Sequence, residues 1–260
     1  MGIGSGLQGS LGLAAETVYG TYVAAARHLE VDNAKLKKVK NTMSSKGLAG
    51  GRAISLGSRR QVTSRAAGGS ISLEVANTKM GLLFNTAIGG TVTPVQQAAT
   101  AAYLQTHSLT TTTNNFGKSL SLQTGIADAG GTSRPYTFLG GKITKFDLAC
   151  AVDEYLTMSA DFDCRDVVES ETLVAPSYAA TTRSFHWDEG TVKISDLGGS
   201  PASVDGIRKV SLSCERKMDV GRFYFGAGGL KAEPILNDFT SVTGSLDADR
   251  LVCHRHGSGG

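Results

Sequence analysis

Apolar side chains alternate with small or polar ones along the segment 142–165, and the alternation breaks once, at Asp153 and Glu154. A period of two is what a β-strand shows when one face is buried and the other meets water. The break predicts a turn between two such strands, so the segment is expected to form a β-hairpin. Its apolar side would carry Phe146, Leu148, Cys150 and Val152 on the first strand and Leu156, Met158, Ala160, Phe162 and Cys164 on the second.

The polar side of this hairpin carries small and acidic residues, with no lysine between Asp147 and Asp163. A strand exposed to bulk water usually mixes lysine and glutamate with threonine. A smooth acidic face would instead suit a surface past which a polyanion slides without sticking, because like charges repel. An ordinary solvated hairpin is the simpler alternative. The residues of interest on this face are Asp147, Thr157, Ser159, Asp161 and Asp163.

The composition favours a mainly β protein with many short strands and long loops. Glycine supplies 33 of the 260 residues, about twice its usual share. A chain of this length can hold one large β domain or two small ones. The net charge of +3 is too weak to indicate general nucleic-acid binding.

The four cysteines show neither a CxxC pair nor the spacing of a metal site, which favours buried free thiols in a reducing compartment over a disulfide framework. The N-terminus lacks the basic region of a signal peptide. No apolar run is long enough to span a membrane. The chain is therefore expected to fold in a cytoplasm. The cysteines are Cys150, Cys164, Cys214 and Cys253.

The first half of the chain divides into a terminal arm and a β domain. Residues 1–26 are rich in Gly, Ala and Ser, and predict an arm that orders against a neighbouring subunit or frays. Residues 27–168 predict a β domain. Its one amphipathic helix, 77–88, would be capped by Asn77 and ended by Gly89 and Gly90. The helix would bury Met80, Leu83, Phe84 and Ala87 along one face.

A long Gly/Ser/Arg segment, 44–69, predicts a loop inside this domain. A loop of that length is usually functional or disordered. Its guanidinium groups could pair with carboxylates on another subunit, although a solvated loop explains them equally. A nucleic-acid role would call for interleaved aromatics, which the segment lacks. The candidate contact residues are Arg52, Arg59, Arg60 and Arg65.

The second half continues as β structure. Residues 169–249 predict a further β segment with four strands, beginning near Phe185, Gly206, Gly221 and Phe239. Its order of strand, glycine-rich loop and strand weakly echoes the first domain, which indicates either chance or a partial repeat of that domain. Residues 250–260 predict a flexible tail.

The sequence offers no convincing catalytic or metal site. It contains no Walker loop, GxGxxG, HExxH or GxSxG motif. The cluster from Cys253 to His256 has too few ligands for a closed zinc site. Asp161 and Asp163 have no histidine partner for acid–base work. No enzyme, cofactor or metal is therefore predicted.

Several stretches, in order along the chain, nevertheless resemble a known family. They are GIGSGLQGSLGLAAETVYGTYVAAARHLEV, then GGR with SRR and GSISLEV, then RPYTFLGGKITKFDLACAVDEYLTMSADFDCRD, and finally GRFYFGAGGLKAEPILNDFTSVTGSLDAD. Together they resemble the tail tube (major tail) proteins of siphophages that infect actinobacteria, over about residues 2–249. The ending LVCHRHGSGG departs from this pattern, since similar chains tend to continue past the last strand.

The resemblance implies a tail-tube-type β-sandwich or barrel with one flanking helix, a long β-hairpin and an extended N-terminal arm. It implies homo-oligomeric rings stacked into a tube, in which hairpins of adjacent subunits form one inner barrel. The rings would be hexamers, or trimers with pseudo-sixfold symmetry. The five polar hairpin residues would face the lumen, and the four arginines would contact neighbouring subunits or rings.

The resemblance also implies the partners and the location of the protein. The tape-measure, tail terminator and baseplate proteins would be its partners, and DNA would be only passing cargo. The protein would be assembled in the host cytoplasm and would reside in the virion tail. The alternative is a monomeric receptor- or carbohydrate-binding β-sandwich module of a phage baseplate, with a ligand at Tyr178, Phe185 and Trp187.

Overall fold

The computed structural model describes residues 9–47, 51, 53–54, 56–109, 118–196 and 198–249. These residues form one α-helix, α1 (Gly81–Ile88), and sixteen strands. The strands of the first half are β1 (Ser10–Ala15), β2 (Arg27–Leu29), β3 (Asn33–Ser44), β4 (Arg60–Glu74), β5 (Gly89–Gln96), β6 (Tyr103–Leu109), β7 (Leu120–Ala127) and β8 (Ser133–Ala151). Those of the second half are β9 (Thr157–Cys164), β10 (Asp166–Val168), β11 (Lys193–Ile194), β12 (Ala202–Ser203), β13 (Ile207–Glu215), β14 (Met218–Asp219), β15 (Ile235–Leu236) and β16 (Ser241–Ala248).

Two antiparallel layers share the long strand β8. The first half of β8 pairs with β7 and β10, and β7 continues to β1 and β2. The second half of β8 lies in a six-stranded layer with the order β3-β4-β9-β8-β13-β16. No closed barrel forms among the described residues.

β8 passes from one layer to the other at Gly140 and Gly141. Gly140 has a φ of +66°, a conformation that favours glycine. A Cβ at this position would lie 2.8 Å from the Tyr19 ring and 3.0 Å from Cβ of Arg165. The Gly140 N–H donates a 2.8 Å hydrogen bond to the buried Glu16 carboxylate. The crossing therefore depends on a residue without a side chain.

One contiguous core lies among these elements. Leu11 and Leu13 of β1 contribute to it, as do Leu120 and Leu122 of β7, and all four are fully buried. The hairpin contributes its predicted apolar side: Phe146, Met158, Ala160, Phe162 and Cys164 are buried, Leu148, Cys150 and Leu156 are half-buried, and Val152 is exposed in the turn. The predicted hairpin is thus confirmed, and the turn lies between β8 and β9.

The helix is shorter than the sequence predicts. It begins at Gly81, because Asn77 does not cap it; the Asn77 side chain instead accepts a hydrogen bond from the Arg183 N–H. The predicted end is correct, since Gly89 follows the helix at a φ of +81°. Met80, Leu83 and Ala87 are buried as predicted, while Phe84 is only half-buried.

The mainly β fold with one flanking helix is confirmed, but several segments differ in detail. Residues 10–15 of the expected arm form β1, in the middle of a layer. Residues 60–69 of the expected loop belong to β4. In the second half, β13 and β16 extend the layer that contains β8 and β9. The stretch GRFYFG forms only an isolated bridge, from Phe223 to Lys231. Among the described residues, no helix has the length and apolar character needed to cross a membrane.

Candidate assembly surfaces

The face of the six-stranded layer that points away from the core is built mainly of small polar side chains. We call it the polar sheet face. Register places the residues of neighbouring strands side by side, for example Asn33, Ser72, Ser159, Asp147 and Ser213 in one row. Its members from β3 to β16 include Asn33, Lys35, Ser70, Ser72, Thr157, Ser159, Asp161, Lys145, Asp147, Ala149, Ser211, Ser213, Glu215, Thr243 and Ser245.

Four of the five hairpin residues expected on a polar surface lie on this face and reach solvent. Thr157 and Asp161 are exposed, and Ser159 is half-buried. The Asp147 side chain is 40% exposed. Its Oδ2 atom lies 3.1 Å from Nζ of Lys145, with which it forms an ion pair. These four residues form one continuous patch at the centre of the layer.

Asp163 departs from this pattern, because its side chain is largely buried and forms an ion pair with Lys231. Burial raises the pKa of the Asp163 carboxyl, and the Lys231 ammonium partly opposes that shift. The second carboxylate oxygen, Oδ2, is buried without a hydrogen-bond partner. The alternation places Asp163 on the expected side, but a distant loop covers it.

The polar sheet face is also less acidic than the hairpin alone suggests. Lys145 lies directly opposite Asp161, and neighbouring strands add Lys35 and Lys209. The face therefore carries charges of both signs among its serines and threonines. The chain has no lysine between Asp147 and Asp163, but neighbouring strands of the layer bring lysines onto the same face.

The loop that covers Asp163 is fixed by buried charges. We call residues 216–240 the clamped loop. Lys231 pairs with Asp163, and Glu233 pairs with Lys142, whose side chain is 1% exposed. Burial lowers the pKa of the Lys142 ammonium, although the Glu233 carboxylate favours the charged form. These two ion pairs attach the clamped loop to β8 and β9.

A third buried cation secures the start of the clamped loop to the helix. Arg216 is 3% exposed, and its guanidinium donates hydrogen bonds of 2.9 Å and 3.2 Å to the carbonyls of Thr86 and Ala87. Those carbonyls end α1, where a positive charge is favoured. Burial lowers the Arg216 pKa to about 10.

The clamped loop presents aromatic side chains to solvent. Phe225 has a relative exposure of 109% and Phe239 of 92%, whereas Phe223 and Tyr224 are partly covered. Phe225 lies at the tip of the loop, beyond the Phe223–Lys231 bridge, and Phe239 lies at its base, beyond the hydrogen bond from the Asn237 N–H to the Lys217 carbonyl. The two exposed side chains therefore do not form a single apolar patch.

Three of the four candidate arginines, Arg59, Arg60 and Arg65, lie on or directly beside β4 in a hairpin made by β3 and β4. These strands pair from Asn33 opposite Ser72 to Ser44 opposite Arg60, and only residues 67–74 of β4 also pair with β9. Arg59 donates to the Gly47 carbonyl at 3.1 Å, and Arg60 donates to Thr42 Oγ1. Arg65 is exposed, and Arg52 lies outside the described residues.

Both outer edges of the six-stranded layer carry backbone groups without a strand partner. Among the described residues, β3 pairs only with β4, and β16 pairs only with β13. An open strand edge is a template for pairing with another chain. These two edges bound the polar sheet face on either side.

An apolar groove of about 350 Å³ lies at the turn end of the β8–β9 hairpin, where Phe185 and Trp187 face β8 and β13. Tyr178 lies elsewhere, 6.2 Å from the His28 ring and beside a different cavity. The structure therefore does not bring the three aromatics of the baseplate alternative into one platform. The apolar residues lining the groove include Leu148, Cys150, Leu156, Phe185, Trp187, Val192 and Val210.

Sequence reasoning missed the clamped loop, because its cations pair with residues tens of positions away. The buried pair Lys142–Glu233 joins β8 to a loop far along the chain, and no local pattern indicates it. The one indication in the sequence was Lys142, a charged residue at the first position of the predicted hairpin. In the described part of the chain, Cys150, Cys164 and Cys214 are free thiols, and no group of His, Cys, Asp or Glu side chains is arranged to hold a metal ion.

Comparison with known proteins finds one matching family. A family model described as phage tail tube protein matches residues 6–250 of the chain. No curated protein matches the chain significantly.

Proposed function

Because the chain belongs to the phage tail tube protein family, we propose that it self-assembles into stacked rings that form the conduit for genome delivery. The observation that carries this proposal is the six-stranded layer, with its face of small polar side chains and an unpaired strand at each edge. The family match supports a structural protein of the virion tail.

Ring closure would use the two open edges of the layer. Pairing β16 of one copy with β3 of the next would give every edge strand a partner and remove the hazard of open edges. Repeated around a ring, this pairing would close the layers into one barrel. A hexamer is the proposed ring, and a trimer with pseudo-sixfold symmetry is the alternative.

The polar sheet face would line the lumen of that barrel. Its serines, threonines and alanines are too short to hold a passing duplex, and they offer no bidentate guanidinium contact to phosphate. Asp161 and Asp147 add negative charge at its centre, and Asp147 offsets the nearest lysine, Lys145. DNA would then meet a wall without strong binding sites. Asp163 is not included, because it is paired beneath the clamped loop.

The β3–β4 hairpin would bridge neighbouring subunits or rings. Its sequence has no acidic residue between Lys35 and Glu74. The exposed arginines of this hairpin therefore have no carboxylate on the hairpin itself to pair with, and we propose that they pair with carboxylates on another copy. Arg59, Arg60 and Arg65 are the proposed contact residues, together with Arg52, which the structure does not describe. The tape-measure, tail terminator and baseplate proteins of a siphophage would contact the interior and the ends of the tube.

Electron microscopy of the purified protein at rising concentration, beside its sedimentation profile, tests the proposal. Hollow rings and tubes with a regular repeat are expected, and their symmetry would distinguish a hexamer from a trimer. A chain that stays monomeric at every concentration, and binds a carbohydrate at Phe185 and Trp187, would favour the baseplate module instead.

A further inference from the structure

Lys231 and Asp163 join the clamped loop to β9 through a buried contact. We propose that Nζ of Lys231 condenses with the Asp163 carboxyl to form an isopeptide bond, and that Glu233 transfers the protons. The bond would form inside a single copy, whether or not copies assemble into a tube. It would turn a non-covalent attachment of the clamped loop into a covalent one.

The two reacting groups meet in a place that water hardly reaches. The Lys231 side chain is 2% exposed and the Asp163 side chain 17% exposed, and the ammonium donates a hydrogen bond to Oδ1 of the carboxylate. In the pair Lys145–Asp147, by contrast, each side chain is 40% exposed. Burial favours a neutral amine and acid over two charges. Because water is the second product of amide formation, its exclusion also opposes hydrolysis of the bond.

Two polar atoms at this contact are buried without a hydrogen-bond partner: Oδ2 of Asp163, the oxygen to which Lys231 does not donate, and the Tyr19 hydroxyl. Burial raises the pKa of the Asp163 carboxyl, which favours a proton on it. Burial also raises the pKa of the Tyr19 hydroxyl, and the charges of Asp163 and Glu233 add to that shift, so both carboxylates lie near it. Condensation would remove the unpaired carboxyl oxygen as water.

Glu233 is placed to move protons at this contact. It lies two residues after Lys231 and forms an ion pair with Lys142. Lys142 in turn lies directly opposite Asp163 in the register of β8 and β9. The two ion pairs are therefore neighbours, with both acids and both amines in one buried group. A carboxylate beside the reacting atoms can accept a proton from the attacking amine and return it to the leaving oxygen.

The reaction balances without any further reactant. A proton first passes from the Lys231 ammonium to the Asp163 carboxylate, which leaves a neutral amine and a neutral acid. The amine lone pair attacks Cγ of Asp163. Glu233 takes a proton from the attacking nitrogen and delivers it to the hydroxyl, which departs as water. A C–N bond replaces the broken C–O bond, and nothing is oxidised or reduced.

The bond should accumulate after folding. The ordinary pKa values of carboxyl and amino groups favour the charged forms at neutral pH, so newly folded protein holds the ion pair and the amide replaces it with time. Unfolding of newly folded protein therefore reports on the ion pair. Once formed, the amide joins residues 68 positions apart and, like a disulfide, restricts the unfolded chain.

Intact mass spectrometry of the denatured protein tests the bond, because condensation removes one water. Wild-type protein kept folded for days is expected to weigh one water less than the mass calculated from its residues. Trypsin should then release a branched peptide that joins residues 146–165 to residues 223–250 and is uncut at Lys231. Full mass in every aged sample would overturn the proposal. So would loss of water without the branched peptide, as from a cyclic imide at Asp205–Gly206.

Three variants, each shown to be folded by its melting curve, assign the roles. Lys231→Arg keeps the cation but has no amine to condense, so it should keep the full mass. Glu233→Gln should slow the loss of water by about a hundredfold, and an unchanged rate would overturn its role in proton transfer. Asp161→Asn is the matched control, because Asp161 is an exposed carboxylate on the same strand, opposite Lys145. It should lose water at the wild-type rate.

The bond and the tube function are tested independently. Aged wild-type protein that forms tubes at its full mass would overturn the isopeptide bond and leave the tube function intact. Protein that gives the branched peptide but stays monomeric at every concentration would confirm the bond and overturn the tube function.

Discussion

Asp163 and Lys231 show how one side chain can follow a sequence pattern and still have an unexpected environment. The alternation along β9 places Asp163 on the face opposite Phe162 and Cys164, as observed. Its neighbour across space comes from a position 68 residues away. Burying the carboxylate costs free energy, and the pairing with Lys231 offsets that cost.

Removing the cation should therefore destabilise the fold in a pH-dependent way. For Lys231→Met we expect a loss of about 3–5 kcal/mol in the free energy of unfolding at neutral pH, because a buried charge is left unpaired. Burial already raises the pKa of Asp163 in the folded state. The folded state then holds its proton to higher pH than the unfolded state, so stability falls as pH rises from the unfolded pKa.

Urea unfolding at several pH values checks this expectation. The loss should shrink towards zero at pH values below the ordinary carboxyl pKa of 3.8, where Asp163 is protonated in both states. The double variant Asp163→Asn, Lys231→Met should recover most of the stability at neutral pH. An equal loss at every pH would show that packing, and not charge, holds the clamped loop.

At the scale of elements, the predictable parts were those with a strong local period. The β8–β9 hairpin and the end of α1 at Gly89 agree with the sequence pattern. Residues 60–69 were expected to be a loop because Gly, Ser and Arg show no apolar alternation, yet pairing with β3 makes them a strand. Likewise, residues 10–15 were expected to belong to an arm, yet they pair with both β2 and β7 as β1. Tertiary pairing decided both segments, and local propensity could not reveal it.

The β3–β4 hairpin supplies a prediction at this scale. For Arg59→Ser, Arg60→Ser we expect each stacking contact to weaken by about 1 kcal/mol, since exposed ion pairs contribute roughly that much. Tubes should then form only at higher protein concentration, and added salt should reduce the difference from wild type. Sedimentation across a concentration series measures the shift.

Arg134→Ser is a suitable control for that experiment. Arg134 is also exposed and pairs with Asp128, but on the turn between β7 and β8. Its removal should leave the assembly threshold unchanged. If the hairpin variant forms tubes of the same length and stability as the wild type, these arginines are solvated and do not contact another copy.

At the scale of the whole molecule, the candidate assembly surfaces lie on different sides of the six-stranded layer. The polar sheet face points away from the core, open edges lie on either side, and the apolar groove lies at the turn end of β8 and β9. The sequence indicated the polar face through the hairpin alone. It could not indicate the lysines of β3 and β13, because strand order is set by non-local pairing.

The lumen assignment predicts a defect in DNA passage without a defect in assembly. Asp147→Lys with Asp161→Lys adds positive charge to the proposed wall, so DNA ejection should slow, and less so at high salt. Stability should change by less than about 0.5 kcal/mol, since both side chains are solvent-accessible. Single-particle ejection assays on phages with intact tails measure the rate.

A double variant with Asp147→Ser and Asp161→Ser separates the sign of the charge from the loss of the carboxylates. It should eject DNA faster than the lysine variant, because it adds no positive charge. Normal ejection by the lysine variant would place the polar sheet face outside the lumen.

The long strand β8 also has a mechanical consequence. Because one unbroken backbone runs through both layers, tension applied to either layer is carried by covalent bonds into the other. Neighbouring strands transmit the load through ladders of hydrogen bonds that would have to shear together. Each copy should therefore respond to force as a stiff block, and a flexing tail would take up its curvature at the joints between copies.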